Sequence, residues 1–284
     1  MNIQINAVGT DTELFLFNQE NRPVSVEGKL GGTKEKPLPV PELGEGFAVQ
    51  EDNVMAEYNV PPAKGRREFS DNILQMSRYI QSKMGERGLT AKAVASVRFP
   101  VEELKTKQAQ TFGCDPDFCV WTRSMNEVAK DPAFANLRTA GGHIHVSFMV
   151  GEEQPGIDEC MAFIRALDLF LGVPSTYLDT DTDRRRMYGK AGAFRLKPYG
   201  IEYRVLSNFW TRNEILRKWA FDGVIRAMQF LKSNNRELDR LEADSDIVRG
   251  AINNGDPQFI RYLSEQYGIP KLKISEEALA SSDF

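Results

Sequence analysis

Between Gly141 and Phe148 the chain alternates. His143, His145 and Ser147 are polar, and Ile144, Val146 and Phe148 are apolar. Alternation of this kind is the pattern of a strand with one face in a core, and on a strand residues i and i+2 point the same way. The two histidines of the chain therefore share a face. The same device recurs in Asp11-Thr12-Glu13 running into Leu14 to Phe17, in Val54 to Ala56 followed by Glu57-Tyr58-Asn59, and in Glu202-Tyr203-Arg204 before Val205-Leu206. Four predicted strands each embed a same-face polar pair in apolar sequence. They suggest convergence on one charged site, most simply a site for divalent metal.

The remaining pattern places these strands. Residues 46–51 and 54–60 read as two strands flanking a short connection at Asp52-Asn53, and Pro61-Pro62 ends the second. A loop-rich stretch, Gly28 to Gly46, precedes them. Ile73, Leu74, Met76, Ile80 and Met84 have helical spacing after Ser70, the expected N-cap, with Gly85 or Gly88 at the end. Ala93 to Phe99 reads as a short strand, and Asp115-Pro116-Asp117 as a turn before Phe118 to Trp121. Ile157 to Leu171 reads as an amphipathic helix, Thr180 to Gly189 as a charged loop, and residues 193–196 and 201–205 as strands paired across Lys197-Pro198-Tyr199-Gly200. Helical spacing dominates from Asn213 onward, in 215–231, 238–252 and 258–267. The expectation is an α+β fold in a single domain over 1–284, with a sheet-rich core (1–211) and a helical C-terminal part (212–284) laid on or beside the sheet.

Composition narrows the function. A net charge of −4 over 284 residues lacks the electrostatic footprint of a non-specific nucleic-acid binder. Cys114, Cys119 and Cys160 form no C-x-x-C and give no disulfide framework or zinc ribbon. No secretory signal is visible at the start, and no apolar run approaches membrane-spanning length. These features point to a soluble cytoplasmic protein.

With two histidines, an H-x-H zinc site has no third imidazole available. A metal site built from these strands would be mostly carboxylate oxygen, which favours Mg²⁺ or Mn²⁺ with at most one imidazole per ion. Asp11, Glu13, Glu57 and Glu202 are the candidate oxygen donors, with Glu51 as a further one. Arg184, Arg185, Arg186, Lys190, Arg195 and Arg204 form a basic set beside Glu202 and are candidates for phosphate oxygens. Arg195 and Arg204 lie in apolar strand contexts, where an unpaired charge is expensive. The segment Phe112 to Asp117 reads either as plain turn chemistry or as an acidic turn for an amine or a cation. No Walker, G-x-S-x-G or G-x-G-x-x-G context is present.

The order is an acidic pair on the first strand, glutamates on a following hairpin, G-x-H-x-H, an arginine-rich loop and then I-E-Y-R. It resembles the glutamine synthetase-like carboxylate–amine ligases. The carriers are Thr10 to Phe17, Gly142 to His145 and Ile201 to Arg204. Through Val49 to Asn59, Leu137 to His145 and Tyr188 to Arg195, the chain more closely resembles the phage-encoded COOH–NH2 ligase type 2 proteins, over roughly Val8 to Ile215. The resemblance implies a funnel-shaped site on an antiparallel sheet, holding ATP and two or more Mg²⁺ or Mn²⁺ ions. It implies that Glu13, Glu57 and Glu51 hold one ion and that Asp11, His143 and Glu202 hold another. His145 and Arg204 would contact nucleotide phosphates, assisted by Arg195, Arg186 and Lys190, with Glu57, Arg195 and Arg204 as catalytic groups. The implied reaction is ATP-dependent amide formation through an acyl phosphate, with small-molecule or peptide carboxylates and amines as partners and host cytoplasm as the location. The alternatives are a guanidino-type phosphotransferase on the same fold and a non-catalytic phage protein that binds a host or virion partner.

Overall fold

The structure is a computed structural model that describes residues 1–110, 117–126, 132–233, 235–270 and 274–284. The chain opens with β1 (Ile3–Phe17), followed by the short β2 (Pro23–Val24) and β3 (Leu38–Pro39), the hairpin β4 (Ala48–Asp52) and β5 (Met55–Asn59), and helix α1 (Arg66–Gly85). Next come β6 (Thr90–Lys92), β7 (Ser96–Arg98), α2 (Lys107–Gln110), β8 (Phe118–Cys119), β9 (Ser124–Met125), β10 (Leu137–Thr139) and β11 (Gly142–Val150). Helices α3 (Ile157–Leu167), α4 (Val173–Leu178) and α5 (Thr182–Met187) lead to the hairpin β12 (Ala193–Lys197) and β13 (Gly200–Tyr203). The chain ends in α6 (Glu214–Ser233), α7 (Asn235–Ala243), α8 (Ser245–Asn254), α9 (Pro257–Tyr267) and α10 (Glu276–Ala280).

Among the described residues one antiparallel sheet runs in the order β3-β4-β5-β1-β11-β13-β12-β8-β9, with β2 and β6 paired to the far half of β1. β7 and β10 pair separately. The 15-residue β1 is the spine, because only a strand this long can pair with β5 and β11 and then, past Leu14, with β2 and β6. One sheet face is apolar. Leu14, Tyr58, Ile144, Val146, Phe148, Ile201, Tyr203 and Phe194 are buried there against Ile73, Met76 and Ile80 of α1, Phe163, Ile164 and Leu167 of α3, and Leu216, Ala220 and Val224 of α6. Phe148 meets Phe163 edge-on at 4.9 Å, and Phe69 stacks on Trp210 at 5.6 Å. Covering one face with helices leaves the other to carry polar side chains.

Several boundaries differ from the sequence reading. Helix α1 starts a turn early, after Gly65, so Ser70 lies inside it. Ser70 is buried there and accepts a hydrogen bond from Arg217 Nε at 3.0 Å. The stretch 180–189 contains α5, because Asp181 caps it by accepting from the backbone N–H of Asp183 and Arg184. The 93–99 region holds one short strand, β7, and β6 precedes it at Thr90–Lys92. Helix α3 does not stop at Leu171. It passes through a π-turn at Asp168–Gly172 into α4, and Ile157–Leu178 forms a 22-residue run long and apolar enough to cross a membrane by length and composition. That departs from the expectation of no such run; 83% of its 18-residue apolar window is buried inside the molecule, as in a core helix. Cys119 and Cys160 are free and buried. Cys114 and the rest of the turn from Phe112 to Pro116 lie outside the described residues.

Candidate active site

Strand register gathers the polar pairs on the face opposite the helices. Asp11 lies opposite His143, and Gly9 opposite His145, across β1 and β11. Glu13 lies opposite Glu57 on β5, and Glu57 opposite Gln50 on β4. His145 and Arg195 both lie opposite Glu202 on β13. With a side-chain period of two, Asp11, Glu13, Asp52, Glu57, His143, His145, Arg195, Glu202 and Arg204 all share this face.

Two acidic clusters stand out. In the first, Asp11, His145 and Glu202 bring ligand atoms within 4.8 Å of one another. His145 Nε2 lies 3.1 Å from Asp11 Oδ2, and Lys197 Nζ lies 2.7 Å from Glu202 Oε2. Both are ion-pair distances, but neither pair is aligned as a hydrogen bond, and Nε2 and Oε2 are buried without a hydrogen-bond partner. Buried polar atoms rarely go unsatisfied, so this pair suits a group not made of protein. One imidazole and two carboxylates fit a hard divalent cation such as Mg²⁺ or Mn²⁺. Burial raises Asp11, but the His145 and His143 imidazoles together hold it well below the usual carboxylate range. Burial and Asp11 likewise push Glu202 up, and Arg204 and both histidines outweigh them, bringing it down to about 2.

The second cluster is Glu13, Asp52 and Glu57, again with ligand atoms within 4.8 Å. Burial, then the neighbouring Asp52, raises Glu13 to about 8, against the Gly141 backbone N–H that it accepts. Burial, then repulsion from Asp11, Glu13 and Asp52, holds Glu57 well above its ordinary value, and burial raises Asp52. Three largely buried carboxylates that repel one another in this way are relieved by a bound cation, and oxygen donors alone fit the same hard ions.

Arg204 ties the face together. It is 4% exposed, its Nε donates to Asp117 and its Nη1 donates to Glu202, and Nη1 lies 3.3 Å from His143 Nδ1. Arg195 Nε stands 4.0 Å from the same Asp117 oxygen. Buried arginines remain acceptable because carboxylates surround them.

The structure reassigns several expected residues. Glu51 points to the opposite sheet face, opposite Ala56, and accepts from the backbone N–H of Gly28, Lys29, Leu30 and Gly31 at 2.8–3.0 Å. Asp52 takes its place in the cluster. Adjacent residues on a strand face opposite ways, and Glu57 pairs with Gln50, so Asp52 shares its face and Glu51 does not. Asp52 pairs with Met55, so the connection is Asn53-Val54, with Asn53 at a φ of +55°. Both histidines adjoin Asp11 and Glu202: His145 shares a cluster with them, and His143 Nδ1 lies 2.9 Å from Asp11, 3.7 Å from Glu202 Oε1 and 3.3 Å from Arg204. Burial and Arg204 lower the His143 pKa. Burial would lower His145 too, but Asp11 raises it. Arg186 is exposed and pairs with Asp183 at 3.5 Å, away from the clusters. Lys190 lies half-buried in the turn before β12, and it does not line the cavity described next. The turn expected at Asp117, plain or binding an amine or a cation, carries no local mark of its partner Arg204, which is 87 residues away.

Two openings adjoin the carboxylates along β1. A cavity on the His143 side is lined by Glu13, Asp52, Met55, Arg138, Arg184 and Tyr188, among others. A groove on the His145 side is lined by Ala7, Gly9, Asn59, Pro62, Ser147 and Tyr199, among others. Asp11 lies between them on β1, where Gly9 and Glu13 mark the two sides.

No curated protein matches the chain. Among solved structures it is similar to apo GmaS without ligand, at 13% identity and a TM-score of 0.44 over 98% of this chain and 72% of that one. It is also similar to a GmaS/ADP complex, at 11% identity and a TM-score of 0.44 over 97% and 72%. A family match covers residues 112–274, so it reaches the C-terminal helices, where the motifs alone were unspecific, and leaves the Asp11 and Glu57 strands outside. That match covers more than half of the chain, and the protein belongs to the phage phiEco32-like COOH.NH2 ligase-type 2 family.

Proposed function

We propose that the protein joins a carboxylate to an amine with cleavage of ATP, forming an amide through an acyl phosphate. The observation that carries this reading is the pair of largely buried acidic clusters on one sheet face, with the buried Arg204 donating to Glu202 of one of them. Membership of a carboxylate–amine ligase family supports the overall reaction.

A carboxylate is a poor acyl donor at neutral pH because oxide would have to leave. In the first step a carboxylate oxygen attacks the γ-phosphorus of ATP, the bond to the bridging oxygen breaks, and ADP departs. In the second step the amine nitrogen attacks the acyl carbon, inorganic phosphate leaves with the bonding electrons, and the amine loses a proton. Mg²⁺ or Mn²⁺ held by Asp11, His145 and Glu202 and by Glu13, Asp52 and Glu57 would neutralise phosphoryl charge. Arg204 and Arg195 donate to the phosphoryl oxygens as charge shifts onto them. Glu57 is assigned the proton released by the amine. The nucleotide is assigned to the groove on the His145 side and the acyl and amine substrates to the cavity on the His143 side, so the phosphoryl group crosses the carboxylates between them. The substrates are small molecules or peptides.

The test is an assay with ATP, Mg²⁺ and hydroxylamine over a panel of amino acids and peptides. ADP and hydroxamate should appear together and only when a suitable carboxylate is present. ADP release indifferent to the carboxylate would overturn the amide-forming reading.

A further inference from the structure

The β12–β13 hairpin turns through Pro198 and Tyr199, with Lys197 paired to Gly200. Proline fixes its own φ, which stiffens the turn. Gly200 has a φ of +144°, and a Cβ there would stand 2.3 Å from the Val146 carbonyl oxygen, so glycine is needed for the turn to lie this close to β11. The geometry carries the Tyr199 hydroxyl back over the sheet to 2.5 Å from His145 Nδ1. The two rings are tilted by 33° at 6.1 Å. The other ring nitrogen, Nε2, is buried without a hydrogen-bond partner and lies 3.1 Å from Asp11 Oδ2.

An imidazole that binds a cation through one nitrogen is held and oriented through the other. A phenol hydroxyl both donates and accepts, so it can hold Nδ1 whether or not that nitrogen carries the proton. We infer that Tyr199 is a positioning residue that grips His145 through Nδ1 and aims Nε2 at a divalent-cation site shared with Asp11 and Glu202. The inference rests on the divalent-cation reading above. It also gives the hairpin one task, because Lys197 on the same turn pairs with Glu202 Oε2 of that cluster at 2.7 Å.

The test titrates Mn²⁺ into the wild-type chain, Tyr199→Phe and His145→Gln, by calorimetry and by pulsed EPR, which detects the remote nitrogen of a ligating imidazole. Wild-type protein should show imidazole modulation that His145→Gln abolishes. Tyr199→Phe should weaken Mn²⁺ at this cluster by about 10–100-fold and alter the remote-nitrogen modulation, leaving the ion at Glu13, Asp52 and Glu57 in place. A purely structural tyrosine would lower the melting temperature without touching that modulation. Wild-type affinity and modulation in Tyr199→Phe overturn the inference. Modulation that survives in His145→Gln overturns it too, while the divalent-cation reading stands. Absence of Mn²⁺ binding by wild-type protein overturns that reading and the inference with it.

Discussion

Glu51 and Asp52 are adjacent in the chain and work on opposite faces of the sheet. The Glu51 carboxylate accepts the backbone N–H groups of Gly28 to Gly31, and the Asp52 carboxylate joins Glu13 and Glu57. Substituting them should therefore give different failures. Asp52→Asn should remove one Mn²⁺ from the binding stoichiometry with little loss of stability. Glu51→Ala should keep the stoichiometry, lower stability by about 2–3 kcal/mol and speed hydrogen exchange at residues 28–31. Calorimetric Mn²⁺ titration with exchange mass spectrometry separates the two. Loss of an ion in Glu51→Ala would reverse the assignment.

Arg204 spans Asp117, Glu202 and His143 with a planar fork. Lysine keeps the charge but cannot make those contacts together. Arg204→Lys should lower kcat by about 10²–10³-fold, the range typical for loss of one transition-state donor. Mn²⁺ binding should survive. Steady-state kinetics beside metal titration checks this, and unchanged kcat would remove Arg204 from the chemistry.

How much of this was legible in the sequence depends on distance along the chain. The period-two polar pairs revealed Asp11, Glu13, Glu57 and Glu202 because side-chain alternation is local. The same rule sets Glu51 apart from Glu57, since odd-numbered residues on the two arms of a two-residue hairpin face opposite ways; only the resemblance groups them. Sequence gave no means of choosing between His143 and His145, which share a face and differ only in what stands across from them. Asp117 and Tyr199 act through contacts 87 and 54 residues away, and no pattern reports those. The helical second half was visible in outline. The π-turn at Asp168–Gly172, which carries α3 into α4, was not, because apolar periodicity continues through it.

Asp168 offers a pH test away from the clusters. Trp121 Nε1 and Tyr203 Oη donate to its two oxygens at 2.6 and 2.7 Å, yet burial outweighs them and pushes its pKa from 3.8 to about 7. A folded-state value above the unfolded one means that the folded protein holds the proton more tightly. The associated stabilisation is complete below about pH 3.8 and is lost as pH rises through about 7. Asp168→Asn, which cannot ionise, should gain stability relative to wild type across that window. Urea unfolding at a series of pH values measures the difference, and a flat difference would contradict the raised pKa.

Gly142 has no room for a side chain. A Cβ there would stand 2.7 Å from Trp210 Nε1 and 2.8 Å from the Ser207 carbonyl oxygen, and Trp210 donates to the Gly142 carbonyl at 3.1 Å. The approach permitted by this glycine is that of the protein's own core. Gly142→Ala should cost about 1–3 kcal/mol through overpacking, read as a lower urea midpoint, and should weaken activity by displacing His143. A neutral effect on both would show that Trp210 can yield.

The central claim is that phosphate is transferred onto the carboxylate before the amide forms. Supplying an accepted carboxylate labelled with ¹⁸O, together with ATP, Mg²⁺ and an amine, tests it most directly. Mass spectrometry of the released inorganic phosphate should show one ¹⁸O per amide formed. Unlabelled phosphate beside full amide yield would contradict an acyl phosphate.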